Sequence, residues 1–323
     1  MRIRGYGIII ALIIWLDHPR RNLLPVLGWI KTAFWYQDKP FPCWLFILGK
    51  RMLTLYRDRI TTEEGMPLTP GSTFNFHCRP ELACFNRCCR ETTVLLSPYD
   101  ILRLRSRVRL SSGEFLRRYT RRELEASSCL PLVLLKPSRS GGCPFLGEEG
   151  CRVYSDRPAV CRLFPVAQGS ELTPAGIVDH YFLRHLNYCE GFKASQTWDL
   201  TSWQAGQGFR EFDRPRRYWL KVLLKQGQPG RPVPDDRILS QVYLIAYDLD
   251  AFRAFLFESA LLRVHGLDPL SAAPLKTDDL ALLRFSAAYL EHLLFPEEAL
   301  SLPAALRAAL DEEAGKTPEY QGP

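Results

Sequence analysis

Eight of the ten cysteines in this chain of 323 residues fall between positions 78 and 189. Cys78, Cys84, Cys88 and Cys89 make a first group, and Cys143, Cys151, Cys161 and Cys189 a second. Clustered thiols have three chemical uses: disulfides, a zinc site, or an iron–sulfur cluster. Disulfides fit least, because dense disulfide frameworks serve small secreted domains that lack an adequate core, whereas this chain can bury a large one. The neighbours Cys88 and Cys89 also sit too close for each other, since a trans peptide holds their Cα atoms about 3.8 Å apart and a relaxed bridge wants roughly 4.4–6.8 Å. Two groups of four are enough for two sites. The spacing Cys78-x5-Cys84-x3-Cys88-Cys89 matches neither the paired C-x2-C of zinc ribbons nor the common ferredoxin runs. The pattern therefore implies a metal and leaves its identity open, with all eight cysteines as candidate ligands.

A cluster held by four thiolates carries net negative charge and is tuned by nearby cations and hydrogen bonds. Arg87, Arg90, Arg152, Arg157 and Arg162 each lie within four residues of a cysteine. Arg157 and Arg162 flank Cys161 and are the candidate cofactor-binding residues. His185 and Cys189 stand at i and i+4, so a helix would bring them to one face. A lone histidine is more often a satisfied structural residue, and the same holds for His77 and His180. Cys129 precedes the apolar Leu130-Pro131-Leu132-Val133 and reads as a buried small hydrophobe.

The run Phe76-His77-Cys78-Arg79-Pro80-Glu81-Leu82-Ala83-Cys84-Phe85-Asn86-Arg87-Cys88-Cys89-Arg90 is followed by Ser97-Pro98-Tyr99-Asp100, Cys143-Pro144-Phe145-Leu146 and Gly150-Cys151-Arg152-Val153-Tyr154. With Arg157-Pro158-Ala159-Val160-Cys161-Arg162-Leu163-Phe164-Pro165, these stretches resemble the YkgJ-type cysteine cluster family, a zinc- or iron-chelating domain. They are also similar to the cluster of a bacterial flagellin lysine N-methylase regarded as an iron–sulfur protein. The resemblance covers about residues 66–220. It implies a metal-binding protein holding an iron–sulfur cluster, [4Fe–4S] in form, with zinc as the alternative metal, in a redox, sensing or structural role. A second function it implies is a cluster-containing methyltransferase using S-adenosylmethionine on a protein lysine. The first gap, five residues between Cys78 and Cys84, is longer than the family's compact spacing.

The elements that must position these residues are short and well punctuated. Thr92–Leu96 and Leu130–Lys136 read as strands. Ser97 with Pro98 and Asp100 opens a helix to about Arg107, and Ser111 with Glu114 forms a capping box for a helix from Ser112 to about Arg122. Gly141-Gly142, Pro144, Gly147 and Gly150 make the second cysteine group irregular backbone. Gln226–Pro234 is a linker by composition. Asp235 caps a single long helix expected through Val264, and helices from Asp278 to Leu294 and Leu302 to Leu310 follow. The fold class expected is α+β, predominantly helical, a loop-rich cysteine-cluster domain with short strands over residues 66–230, a C-terminal helical region over 231–312 and a tail over 313–323.

The formal charge of +7, from 42 Lys+Arg against 35 Asp+Glu, and the 46% hydrophobic content are those of an ordinary globular chain, which excludes fibrous and polytopic membrane classes. No dinucleotide, P-loop, zincin or Gly-x-Ser-x-Gly motif occurs. The arginine series from Arg103 to Arg122 alternates at i, i+2 and reads as a solvated face, so no specific nucleic-acid partner is expected. Residues 1–65 form an apolar extension. Its twelve-residue run Gly5–Leu16 is shorter than the roughly 18 residues of a spanning helix. Two readings stand there: membrane-surface association through residues 1–48, or a true start at Met66. The expected location is cytoplasmic, with peripheral or N-terminal membrane association under the first of them, and the C-terminal helices are a surface for an unknown protein partner.

Overall fold

The computed structural model describes residues 65–91, 93–139 and 141–311. The expectations for residues 1–48 and for the tail 313–323 lie outside them. The fold is α+β. In chain order, strands β1 (Gly65–Leu68) and β2 (Thr73–Asn75) precede helix α1 (Cys88–Glu91), strand β3 (Leu95–Leu96) and helices α2 (Pro98–Val108) and α3 (Ser112–Tyr119). Strands β4 (Thr120–Leu124), β5 (Pro131–Leu135), β6 (Leu146–Gly147) and β7 (Gly150–Cys151) lead to helix α4 (Ala159–Leu163). The hairpin β8 (Val166–Thr173) and β9 (Gly176–Arg184), then β10 (Thr197–Asp199), complete the strands. Helices α5 (Leu200–Gly206), α6 (Phe209–Gln226), α7 (Asp236–Tyr247), α8 (Leu249–Glu258), α9 (Leu261–Val264), α10 (Pro269–Ala272), α11 (Asp279–Leu294) and α12 (Leu302–Asp311) follow.

The strands form four small antiparallel sheets, ordered β1-β9-β8, β10-β2, β3-β5-β4 and β6-β7. Buried side chains from Phe74 to Ala309 form one hydrophobic cluster, so cysteine region and C-terminal helices share a core. Strand β5 is buried at every position, as an apolar run with no polar alternation requires. Among the described residues no helix is long and apolar enough to cross a membrane.

Both capping boxes form where their residue spacing places them. Asp100 N–H donates to Ser97 Oγ at 3.1 Å while Asp100 Oδ2 accepts from Ser97 N–H at 2.8 Å, and Ser111 and Glu114 repeat the exchange. Three expectations are corrected. Helix α3 stops at Tyr119 because Thr120 turns extended (φ −127°, ψ 157°) and enters the ladder with β5. The single helix expected from Asp235 to Val264 is three. Asp248 leaves helical geometry (φ −100°, ψ 69°), and its carboxylate accepts from Ala251 N–H at 3.3 Å and Ser112 Oγ at 2.5 Å. A short acidic side chain that can cap competes with the helical ladder, and Ser259 ends α8 with its Oγ accepting from Leu261 N–H at 3.1 Å.

The arginine series is not a solvated face throughout. Residues two apart on a helix cannot share one side, so part of the series turns inward. Arg105 reaches Asp250 at 3.3 Å and Asp279 at 2.7 Å, with 13% of its side chain exposed. Arg103 pairs with Asp156 at 2.7 Å, and Arg122, on β4, lies over the Tyr243 ring at 4.5 Å. Helix α2 is thereby tied to the C-terminal helices on one side and to the turn before α4 on the other.

Candidate metal centre

The segment leading to Cys78 is an extension of the β2–β10 ribbon. Phe76 N–H donates to the Gln196 carbonyl and His77 N–H to the Gly191 carbonyl, both at 3.0 Å. Cys78 therefore leaves the ribbon beside the turn Glu190–Lys193 that follows Cys189. Phe76 anchors this end, packing edge-on against Phe164, Phe192 and Trp203. Tight turns carry the chain from Arg79 through Cys84 into α1. Glu190 N–H donates to Cys84 Sγ at 3.2 Å, and the Arg87 guanidinium lies 4.1 Å from the Tyr188 ring centroid. Cys189 is thus brought back to the first cysteine group across a hundred residues of chain.

Cys89, next in the chain after Cys88, belongs to other surroundings. Its carbonyl accepts from Cys143 N–H at 2.8 Å. That approach depends on Gly142, whose φ is +72° and whose added Cβ would stand 2.8 Å from Arg90 Cα and 3.1 Å from the Cys89 carbonyl oxygen. Strands β6 and β7 pair Leu146 with Cys151, and Leu146 N–H donates to the Cys143 carbonyl at 3.1 Å, so Cys143 and Cys151 share one small hairpin. We expect Gly142→Ala to lower stability by about 2 kcal/mol or more, because it combines a left-handed backbone with a clash against main chain. Denaturant unfolding and metal content measure this, and an unchanged midpoint at full loading would contradict the geometry.

Cys161 sits in α4, whose start is held by Asp100. Asp100 is 2% exposed. Its Oδ1 accepts from Ala159 N–H at 2.9 Å while Oδ2 serves the Ser97 cap. Burial pushes the Asp100 carboxyl up, and the donors from Ser97 and Ala159 pull it back. No signal for the Asp100–Ala159 bond exists in local sequence, since 59 residues separate the partners. Arg162 stacks 3.6 Å over the Phe212 ring centroid, and its guanidinium donates to the carbonyls of Arg157 at 3.1 Å, of Gln207 at 2.9 Å and of Ser155. Arg157 lies over Tyr154 and donates to the Tyr154 carbonyl and to Gln207 Oε1, each at 2.8 Å. Both guanidiniums bind the turn that carries Cys161 to the end of α5.

All eight cysteines of the two groups are free thiols, seven of them partly buried and Cys78 exposed as a residue. Cys129, expected as a buried apolar filler, is buried but disulfide-bonded. The sulfurs feel one another. Crowding by protein atoms, then the sulfurs of Cys88, Cys189 and Cys84, pushes the Cys78 thiol up to about 11. Burial raises Cys189, with Cys84 and Cys88 adding to it. Burial also raises Cys161, with Cys143, Asp100, Cys151 and Cys88 adding to it, and raises Cys143, next to Cys151. The hydrogen bond between Cys89 and Cys88 lowers Cys88 and raises Cys89, which also feels Cys161 and Cys143. Neighbours therefore do not follow the order of the chain: Cys189 lies with the first group, and Cys89, hydrogen-bonded to Cys88, also reaches Cys161 and Cys143 of the second. Among the described residues, no three or more His, Cys, Asp or Glu side chains meet in metal-ligating geometry. The donor chemistry, eight free thiols, fits a thiophilic metal.

The histidines stand elsewhere. Residues 185–189 are not helical, so the expected shared face of His185 and Cys189 does not form, and the His185 ring stacks on Phe192 at 4.4 Å. The preceding residues are held extended in β9. His180 meets Glu171 across the hairpin at 3.0 Å.

Comparison with known proteins agrees with this geometry. Residues 77–190 match the family model CxxCxxCC, described as "Putative zinc- or iron-chelating domain", and all eight free thiols lie inside the match. No curated protein and no solved structure matches the chain. These comparisons give no support to the expected link with a flagellin methylase.

Proposed function

We propose that this chelating domain holds iron–sulfur chemistry through its clustered thiolates, [4Fe–4S] in form, for electron transfer, sensing or the stapling of the fold. The observation that carries the reading is that stretches bearing free thiols, far apart in the chain, are bonded to one another at Cys84 and Glu190, at His77 and Gly191, and at Cys89 and Cys143. A bound cluster supplies a one-electron couple whose potential depends on hydrogen bonds to sulfur and on solvent exposure. The chain's own part is to gather the sulfurs, to donate Glu190 N–H to Cys84 Sγ, and to limit water around Cys161 by packing it against the hydrophobic core. Thiols held protonated by burial must release protons when they ligate, so loading weakens as pH falls.

Anaerobic purification followed by absorbance, iron and acid-labile sulfide analysis tests this. Expected is a coloured protein with sulfur-to-iron charge-transfer absorption and equimolar iron and sulfide. Colourless protein with stoichiometric zinc and no iron after reconstitution would replace the iron reading by the zinc one. Chelation is expected to loosen residues 77–190, since metal binding contributes roughly 10–16 kcal/mol in small structural zinc domains.

A further inference from the structure

Contacts in the structure cross the two cysteine groups of the sequence. We propose that the thiols form two interleaved four-sulfur sites: Cys78, Cys84, Cys88 and Cys189 hold one metal centre, and Cys89, Cys143, Cys151 and Cys161 hold the other. The inference rests on the chelating reading above and adds to it the number of centres and the membership of each.

Main-chain geometry carries the first set. The His77–Gly191 bond, the Glu190 N–H on Cys84 Sγ and the Arg87 guanidinium on Tyr188 bind the stretch 77–87 to the stretch 188–191 at three points. The second set has its own frame: the Cys143–Cys89 bond across the bare Gly142, the β6–β7 hairpin joining Cys143 to Cys151, and α4 presenting Cys161. The hinge between the sets is the pair Cys88–Cys89 at the start of α1. Consecutive residues on a helix leave its axis about 100° apart. Cys88 follows Arg87, whose guanidinium lies over Tyr188 beside Cys189, while the Cys89 carbonyl accepts from Cys143 N–H, so the pair stands between the two frames. Four thiolates is also the full complement both of a structural zinc and of a [4Fe–4S] cluster, and eight sulfurs satisfy it twice. Exchange of a ligand between neighbouring centres has a parallel in two-cluster ferredoxins, where the fourth cysteine of a run serves the other cluster.

The test uses the full chain, reconstituted anaerobically with iron and sulfide and, separately, with Zn²⁺, with metal counted per chain. Wild type is expected to fill two centres, and Cys84→Ser and Cys151→Ser each to lose half the metal. The double variant Cys84→Ser/Cys189→Ser should keep half, because both changes strike one centre, whereas Cys151→Ser/Cys189→Ser should keep none. The opposite pattern, with Cys151→Ser/Cys189→Ser at half and Cys84→Ser/Cys189→Ser empty, would overturn the interleaving. Alkylation mapping of loaded Cys151→Ser checks membership directly: Cys189 should be protected and Cys89 reactive, and the reverse sinks the assignment. Should the variants fail to fold, Cd²⁺ titration of wild type followed by thiolate charge-transfer absorbance still decides the count. A plateau at two equivalents supports two centres and a plateau at one overturns them. Wild type that takes up neither iron, zinc nor cadmium would instead end the chelating reading itself.

Discussion

Asp100→Ala is expected to cost about 2–4 kcal/mol, the sum of a lost helix cap of about 1 kcal/mol and a buried N–H left without its acceptor at about 1–3 kcal/mol. The carboxylate closes the capping box of α2 with one oxygen and holds the first residue of α4 with the other. Its removal therefore frees the turn that presents Cys161, and metal content should fall with stability. Ser97→Ala is the control, since it weakens the cap and leaves the Ala159 bond in place. It should cost about 1 kcal/mol and keep the metal. Asp100→Asn should behave like the alanine variant, because an amide NH2 would face a set of donors: Ser97 N–H, Ser97 Oγ–H and Ala159 N–H. Urea unfolding midpoints with unchanged slope, paired with elemental analysis, give the answer. An Asp100→Ala protein as stable and as fully loaded as wild type would remove Asp100 from the framework of the site.

Arg162→Lys is the second large effect. Among the described residues no carboxylate pairs with this buried guanidinium, which is solvated by three main-chain carbonyls and set over the Phe212 ring. Burial lowers its affinity for a proton, and the carbonyls must offset the lost water. An ammonium can neither span the three carbonyls as a planar fork nor stack on the ring. The substitution is expected to cost about 3 kcal/mol, given that hydrogen bonds to charged groups contribute about 1.5–3 kcal/mol each and do not add fully. A positioning role predicts a particular split in the readouts. The loaded fraction should fall, while the clusters that do form keep the wild-type reduction potential. Full loading with a displaced potential would mean that the Arg162 charge acts on the cluster itself.

Much of the local structure was legible without coordinates. Ser97-Pro98-Tyr99-Asp100 and Ser111 to Glu114 specify helix starts because donor and acceptor lie three residues apart, and the structure forms both boxes. Apolar runs at Leu130–Lys136 and 278–294 give the core strand β5 and the core helix α11. The hairpin β8–β9 was not anticipated, although Thr173-Pro174-Ala175-Gly176 between two apolar stretches is a turn signal, with Thr173 paired to Gly176. The helix from Asp235 was drawn too long because periodicity alone does not register a side chain that prefers to cap. Asp248 does so with help from Ser112, 136 residues distant.

What the sequence by itself determined is the inventory and the local punctuation: which sulfurs are available, which cations lie near them, and where helices begin. These follow from residue chemistry and from bonds within a few positions. Which of the cysteine stretches meet was decided only in three dimensions. The turn after Cys189 meets the stretch of Cys78 and Cys84 through bonds at Gly191 and Glu190, and the Cys89 carbonyl meets Cys143 N–H beside a glycine that admits main chain to main chain. Linear spacing carries no information about such bonds, because their partners are brought together by the packing of other elements around a common core.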